Sequence, residues 1–183
     1  MKRPALALFV LMFALQVCHA CWFGVDKANA QNEKPIQIAI FEPIQLYGKD
    51  ISIKGFRLNL IYGVNENVTG FDLGIINSVN GDMDGVQIGA FSTVEGNLHG
   101  WQWSLLNWVE GEGDGVQLSS FFNYAGSFEG LQIGLVNNVG TFDGVQIGIL
   151  NMADQGHGLQ IGLVNIIKSK EKFKFFPIVN WSF

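Results

Sequence analysis

Gly130-Leu131-Gln132-Ile133-Gly134-Leu135-Val136-Asn137 decides the fold, because the chain is built from copies of it. Equivalent glycines stand at Gly55, Gly70, Gly85, Gly100, Gly115, Gly130, Gly144 and Gly158, fifteen residues apart five times and then fourteen apart twice. Self-similarity at a short fixed period marks a repeat architecture. Counting from the glycine, positions two, four and six are apolar, as in Val145, Ile147 and Ile149. Position three is glutamine in Gln87, Gln102, Gln117, Gln132, Gln146 and Gln160, and position five is small, as in Gly134 and Ser119. Alternation of this kind is a strand signal, with one apolar face and one small or polar face. A helix is excluded, since two glycines per short unit would cost it about 1 kcal/mol each. Asn77, Asn107, Asn137, Asn151 and Asn165 stand at position eight, where the alternation breaks. Asparagine tolerates left-handed backbone angles, so it marks a turn there. A D-G or E-G step stands at four of these eight glycines, as at Asp84-Gly85 and Glu129-Gly130.

Two all-β architectures can use such a unit. In a β-solenoid each unit is one coil, and like residues stack about 4.8 Å apart. The apolar positions then point inward and the Gln and Asn columns run along the coil. In an up-and-down outer-membrane barrel each unit is one antiparallel strand with a short loop. The solenoid is favoured on three grounds. A membrane barrel alternates short turns with longer loops, and no doubled period is present. No Lys or Arg occurs between Arg57 and Lys168, which would leave the acids of a barrel lumen uncompensated. The two aromatic girdles that flank a lipid-facing band are also missing. For the barrel stands the aromatic C-terminus, where Phe175, Val179, Trp181 and Phe183 share one alternating face.

Around the repeats the chain divides into four parts. Residues 1–30 read as a cleaved export signal, with Lys2 and Arg3, an apolar Ala5 to Val17, and Ala28-Asn29-Ala30 before the cut. Cleavage after Ala20 with a lipid on Cys21 is the alternative. Residues 31–54 form an N-terminal cap with a degenerate first unit, Pro35 to Glu42. Residues 55–167 carry eight β-repeats, and residues 168–183 form a C-terminal cap strand. Lys2, Arg3, Lys27 and Asp26 leave with the signal, so eight basic residues face fifteen acidic ones, a net of −7. That balance argues against nucleic acid, whose phosphates are met by Lys and Arg, and against anionic lipid headgroups. Both cysteines, Cys18 and Cys21, lie in the signal, so stability rests on the stacked core.

The G-L-Q-I-G-L-V-N units, the early Gly55-Phe56-Arg57-Leu58-Asn59-Leu60-Ile61-Tyr62-Gly63 and the final F-P-I-V-N-W-S-F together resemble a family of exported bacterial proteins described as surface-repeat-containing proteins. The resemblance covers essentially the whole mature chain. It implies a setting at the cell surface or outer membrane, with the periplasm as alternative, and it implies no catalytic residues.

Three constellations are candidates for function. The last position of successive units holds Asp84, His99, Asp114, Glu129, Asp143 and His157. Stacked in a solenoid, they form a column of carboxylates and imidazoles of the kind that binds divalent cations, or simply a column of turn residues. Trp101 and Trp103 occupy inward positions two and four and read as a core plug, whereas Trp108 falls in the Asn turn, exposed, with Phe121, Phe122 and Tyr124 on the same edge. Trp108 is therefore a partner-contact candidate. The columns of Gln87, Gln102, Gln117, Gln132, Gln146 and Gln160 either satisfy one another's amides, as in cross-β stacks, or present a flat uncharged binding face.

No nucleophile–base or paired-carboxylate arrangement stands out, so the chain reads as a non-enzyme without cofactors. The leading expectation is an exported, non-catalytic surface protein with a structural, adhesive or partner-binding role toward an envelope partner. Self-association through the ends of the stack accompanies it. A small outer-membrane barrel is the second expectation and a divalent-cation-binding periplasmic protein the third.

Overall fold

Parallel, in-register pairing of one repeat on the next builds the molecule. Val68↔Met83, Gly70↔Gly85 and Gln87↔Gln102 are facing partners of successive units, as are Gly130↔Gly144 and Asn137↔Asn151. A computed structural model describes residues 32–182; the segment expected to be an export signal, Cys21 and Phe183 lie outside the described residues. The strands are β1 (Glu33–Phe41), β2 (Ile44–Gln45), β3 (Ser52–Asn65), β4 (Val68–Val79), β5 (Met83–Ile88), β6 (Phe91–Val94), β7 (Leu98–Ile133), β8 (Val136–Ile147), β9 (Leu150–Ile167) and β10 (Phe175–Ser182). The result is a β-solenoid of about nine turns. An up-and-down barrel needs antiparallel neighbours and a closed sheet. Here the pairing is parallel from β1 through β9 and the order is open, so the barrel alternative is set aside.

Antiparallel strands close the stack at both ends. β2 lies on β1, with Phe41 facing Ile44, and β10 lies on β9, with Trp181 facing Leu159 and Asn180 facing Gln160. Pro177 in β10 removes a ladder donor at this edge. Along the long-strand side the rungs start at Pro35, Gly55, Gly70, Gly85, Gly100, Gly115, Gly130, Gly144 and Gly158, and β10 supplies a tenth.

The interior corrects the expectation about which face of the alternation is buried. Gln87, Gln102, Gln117, Gln132, Gln146 and Gln160 are 0–1% exposed, while Trp101 is 53% and Trp103 59% exposed. Positions three, five and eight point in; positions two, four and six point out. The physical reason is the register. A buried amide is costly unless its donor and acceptor are paired, and in-register stacking puts an identical amide at hydrogen-bonding distance above and below. Gln160 donates Nε2–H to Gln146 Oε1 at 2.8 Å, Gln146 to Gln132 at 2.7 Å, and Gln132 to Gln117 at 2.7 Å. The asparagines repeat the device: Asn123 donates to Asn137 at 2.7 Å and Asn137 to Asn151 at 2.8 Å. Their second N–H reaches a backbone carbonyl of the next coil, as Asn137 to Ile147 O at 2.9 Å. None of these asparagines has a positive φ, so they hold the corner by side-chain bonding rather than by a left-handed turn.

The apolar core fills the other half of the coil. Val79, Val94, Val109, Ala125, Val139, Ala153 and Ile167 stack in one column, with Met83, Leu98, Phe128 and Phe142 opposite. Where that second column turns aromatic, its neighbour is glycine: a Cβ on Gly113 or Gly156 would collide with the ring of Phe128 or Phe142 respectively. The first glycine of each unit has its own cause. Gly130 has φ 120°, and a Cβ there would be driven into the carbonyl oxygen of Gly115.

Candidate functional site

The outward-facing long strands make one continuous apolar sheet face. From Ile36 to Leu163, every residue at positions two, four and six is hydrophobic except Ser120. Many are well exposed, including Ile38, Leu60, Ile75, Leu105, Leu135 and Ile149, with Leu163 at 67%. Exposed apolar patches on single soluble chains seldom exceed a few hundred Å²; this one runs the length of the solenoid. Trp101 and Trp103 rise from it as a ridge. The rungs on either side carry the smaller Val86 and Ile88 and the smaller Val116 and Leu118, leaving a groove of about 260 Å³ along the ridge. The core-plug expectation for these two tryptophans is therefore corrected: their column lies outside the coil.

The glutamine column cannot be a binding face. Every member from Gln87 to Gln160 is buried and donates to the next side chain of its column, so the partner-contact expectation for Gln87, Gln102, Gln117, Gln132, Gln146 and Gln160 is corrected as well. Of the two readings of that column, mutual amide satisfaction is the one present. Trp108 does lie on the surface, 41% exposed, where its ring stacks on Tyr124 at 4.1 Å and tilts against Phe122 at 6.3 Å.

The acidic column forms a line on the edge that precedes the apolar face. Asp84 faces His99, Glu129 faces Asp143, and Asp143 faces His157. His99 Nδ1 lies 3.2 Å from Asp84 Oδ1, and His157 Nδ1 the same distance from Asp143 Oδ1, all four side chains more than half exposed. These are neighbour-to-neighbour pairs along the stack. Among the described residues no three His, Cys, Asp or Glu side chains converge on a point where a metal ion could sit. Asp84, His99, Asp114, Glu129, Asp143 and His157 thus stand in the expected column.

A buried ion pair went unread in the sequence. Arg57 and Asp72, both fully buried, bond through Nε to Oδ1 at 2.7 Å and Nη2 to Oδ2 at 2.6 Å. Arg57 Nη1 also donates to Ser78 O at 2.9 Å, and Asn59 Nδ2 to Asp72 Oδ1 at 3.1 Å. Both fall at position three, the glutamine column, so the signal was two adjacent members of one column with opposite charge.

No family model, curated protein or solved structure matches the chain.

Proposed function

We propose that the protein is an exported, non-catalytic solenoid of the bacterial envelope that serves as a structural or partner-binding surface. The exposed apolar sheet face with its Trp101–Trp103 ridge is its working part. That face is the single observation that carries the reading. Uncovered, it would cost about 25 cal/mol for each Å² left in water, and so it calls for a partner. The resemblance to surface-repeat-containing proteins and the export signal at residues 1–30 support the address. The interior supports a scaffold role, because its Gln and Asn side chains bond one another along the stack.

Fractionation of the producing cells, with protease added to intact cells, tests the address. Recovery with the envelope and cleavage from outside are expected. Recovery with the cytoplasmic fraction would contradict it.

A further inference from the structure

We infer that the apolar sheet face pairs two copies of this chain, face to face. The inference rests on the preceding reading only in taking that face as the working surface. Ten rungs about 4.8 Å apart, each presenting some five residues of strand, make a plane of about 45 by 18 Å, roughly 800 Å². A stable complex covers about 800 Å² on each partner. The face thus has the area of one whole interface, and its apolar, charge-free centre is the composition of a homodimer interface.

Relief as well as area fits a second copy. Turn one molecule end for end about an axis that runs along the strands, between the rungs of Gly100 and Gly115. Trp101 and Trp103 of each copy then lie over Val116 and Leu118 of the other, ridge in groove. Those two rungs are the fifth and sixth of ten, so the same axis sits at the middle of the face. Seating the ridges and overlapping the faces completely therefore demand one and the same placement. β10 completes the count, because Trp181 and Val179 continue the columns of Leu159 and Ile161.

Charge favours this occupant over a lipid surface. The column Asp84, Asp114, Glu129 and Asp143 immediately precedes the apolar rungs, and no Lys or Arg follows Arg57 until Lys168. Pressing the face into a bilayer would carry that column to the phosphates. Between two copies the same edges stay in water, about 10 Å apart, near one screening length. There His99 of each copy comes level with Asp114 of the other, and Asp84 with Glu129, both side chains of that acidic pair remaining in water.

Sedimentation of the protein as the producing cell processes it, in detergent-free buffer over a wide concentration range, tests the pairing. Twice the chain mass is expected. Leu118→Lys should reduce it to the single-chain mass with an unchanged far-UV circular dichroism spectrum. Leu118→Trp keeps the face apolar but fills the groove, and should raise the dimer dissociation constant about tenfold. A single-chain mass at every concentration would overturn the inference, as would a dimer indifferent to both substitutions, which would place pairing at the stack ends. Flotation with phosphatidylcholine vesicles that dissolves the dimer and survives Leu118→Trp would also overturn it, in favour of lipid. Because mass is read in solution, these outcomes are separate from where the cell places the protein.

Discussion

Gln87 donates its Nε2–H to Asp72 Oδ2 at 2.9 Å, and this bond ends the amide ladder on a charge. Each glutamine from Gln160 down to Gln102 donates toward the N-terminal end, so the ladder has a direction, and its last donor meets a carboxylate held by Arg57. Removing one member of a buried pair leaves the other charge uncompensated, at a cost of about 3–5 kcal/mol. Arg57→Gln alone should therefore lower the urea midpoint sharply. The double change Arg57→Gln with Asp72→Gln extends the ladder by two amides and should recover most of the loss. A double variant no better than the single one would show that the pair has a role beyond ending the ladder.

Gly130 and Gly48 make a matched comparison for the stacking glycines. Alanine at Gly130 meets both a φ of 120° and the Gly115 carbonyl, whereas a Cβ at Gly48 meets nothing within 4 Å. Gly130→Ala should destabilise by about 2 kcal/mol or more, and Gly48→Ala by less than about 0.5 kcal/mol. Denaturant titration of the two variants side by side reads the difference.

Phe142 and Gly156 test the aromatic half of the core. Phe142→Ala should cost about 3–5 kcal/mol through the cavity it leaves. Gly156→Leu alone overpacks against the ring, and combined with Phe142→Ala it should restore part of the lost stability. Additive losses in the double variant would mean that the two side chains do not share one space.

His99 and His157 each pair with the aspartate one coil away, on the surface. Exposed pairs contribute at most about 1 kcal/mol. His99→Ala with His157→Ala should leave the melting temperature nearly unchanged, and added calcium or zinc should not raise it. A metal-dependent rise abolished by the double variant would restore the cation reading.

Much of the coil was legible before its shape was known. The period of the glycines gave the stacking unit, and the D-G steps marked where coils join. The orientation of the alternation was not legible by the rule applied, that apolar side chains turn inward. Alternation defines two faces without saying which is buried, and in-register stacking removes the usual penalty on amides. The columns themselves carried the missing clue. Position three keeps one residue type, Gln, over six coils, as a ladder between identical amides requires. Position two runs from Val86 to Trp101 and back to Val116, a change of volume that a coil of fixed bore could not hold. The inner column that does vary in size compensates rung by rung, Phe128 against Gly113 and Phe142 against Gly156. The acidic column was placed correctly along one edge, but whether its members converge depends on side-chain directions that spacing does not encode.

This solenoid buries its amides and exposes its apolar columns, and two neighbouring residues test that arrangement. Gln132→Leu makes the chain more hydrophobic, yet it strips Gln146 Nε2 of its acceptor and Gln117 Oε1 of its donor inside the coil. Ile133→Gln changes the adjacent, outward residue, more than a third exposed. Equilibrium denaturation of both variants in detergent, which keeps the apolar face covered, should show a loss of about 2–4 kcal/mol for Gln132→Leu and under about 1 kcal/mol for Ile133→Gln. The reverse order, with leucine tolerated at 132 and glutamine disruptive at 133, would contradict the account.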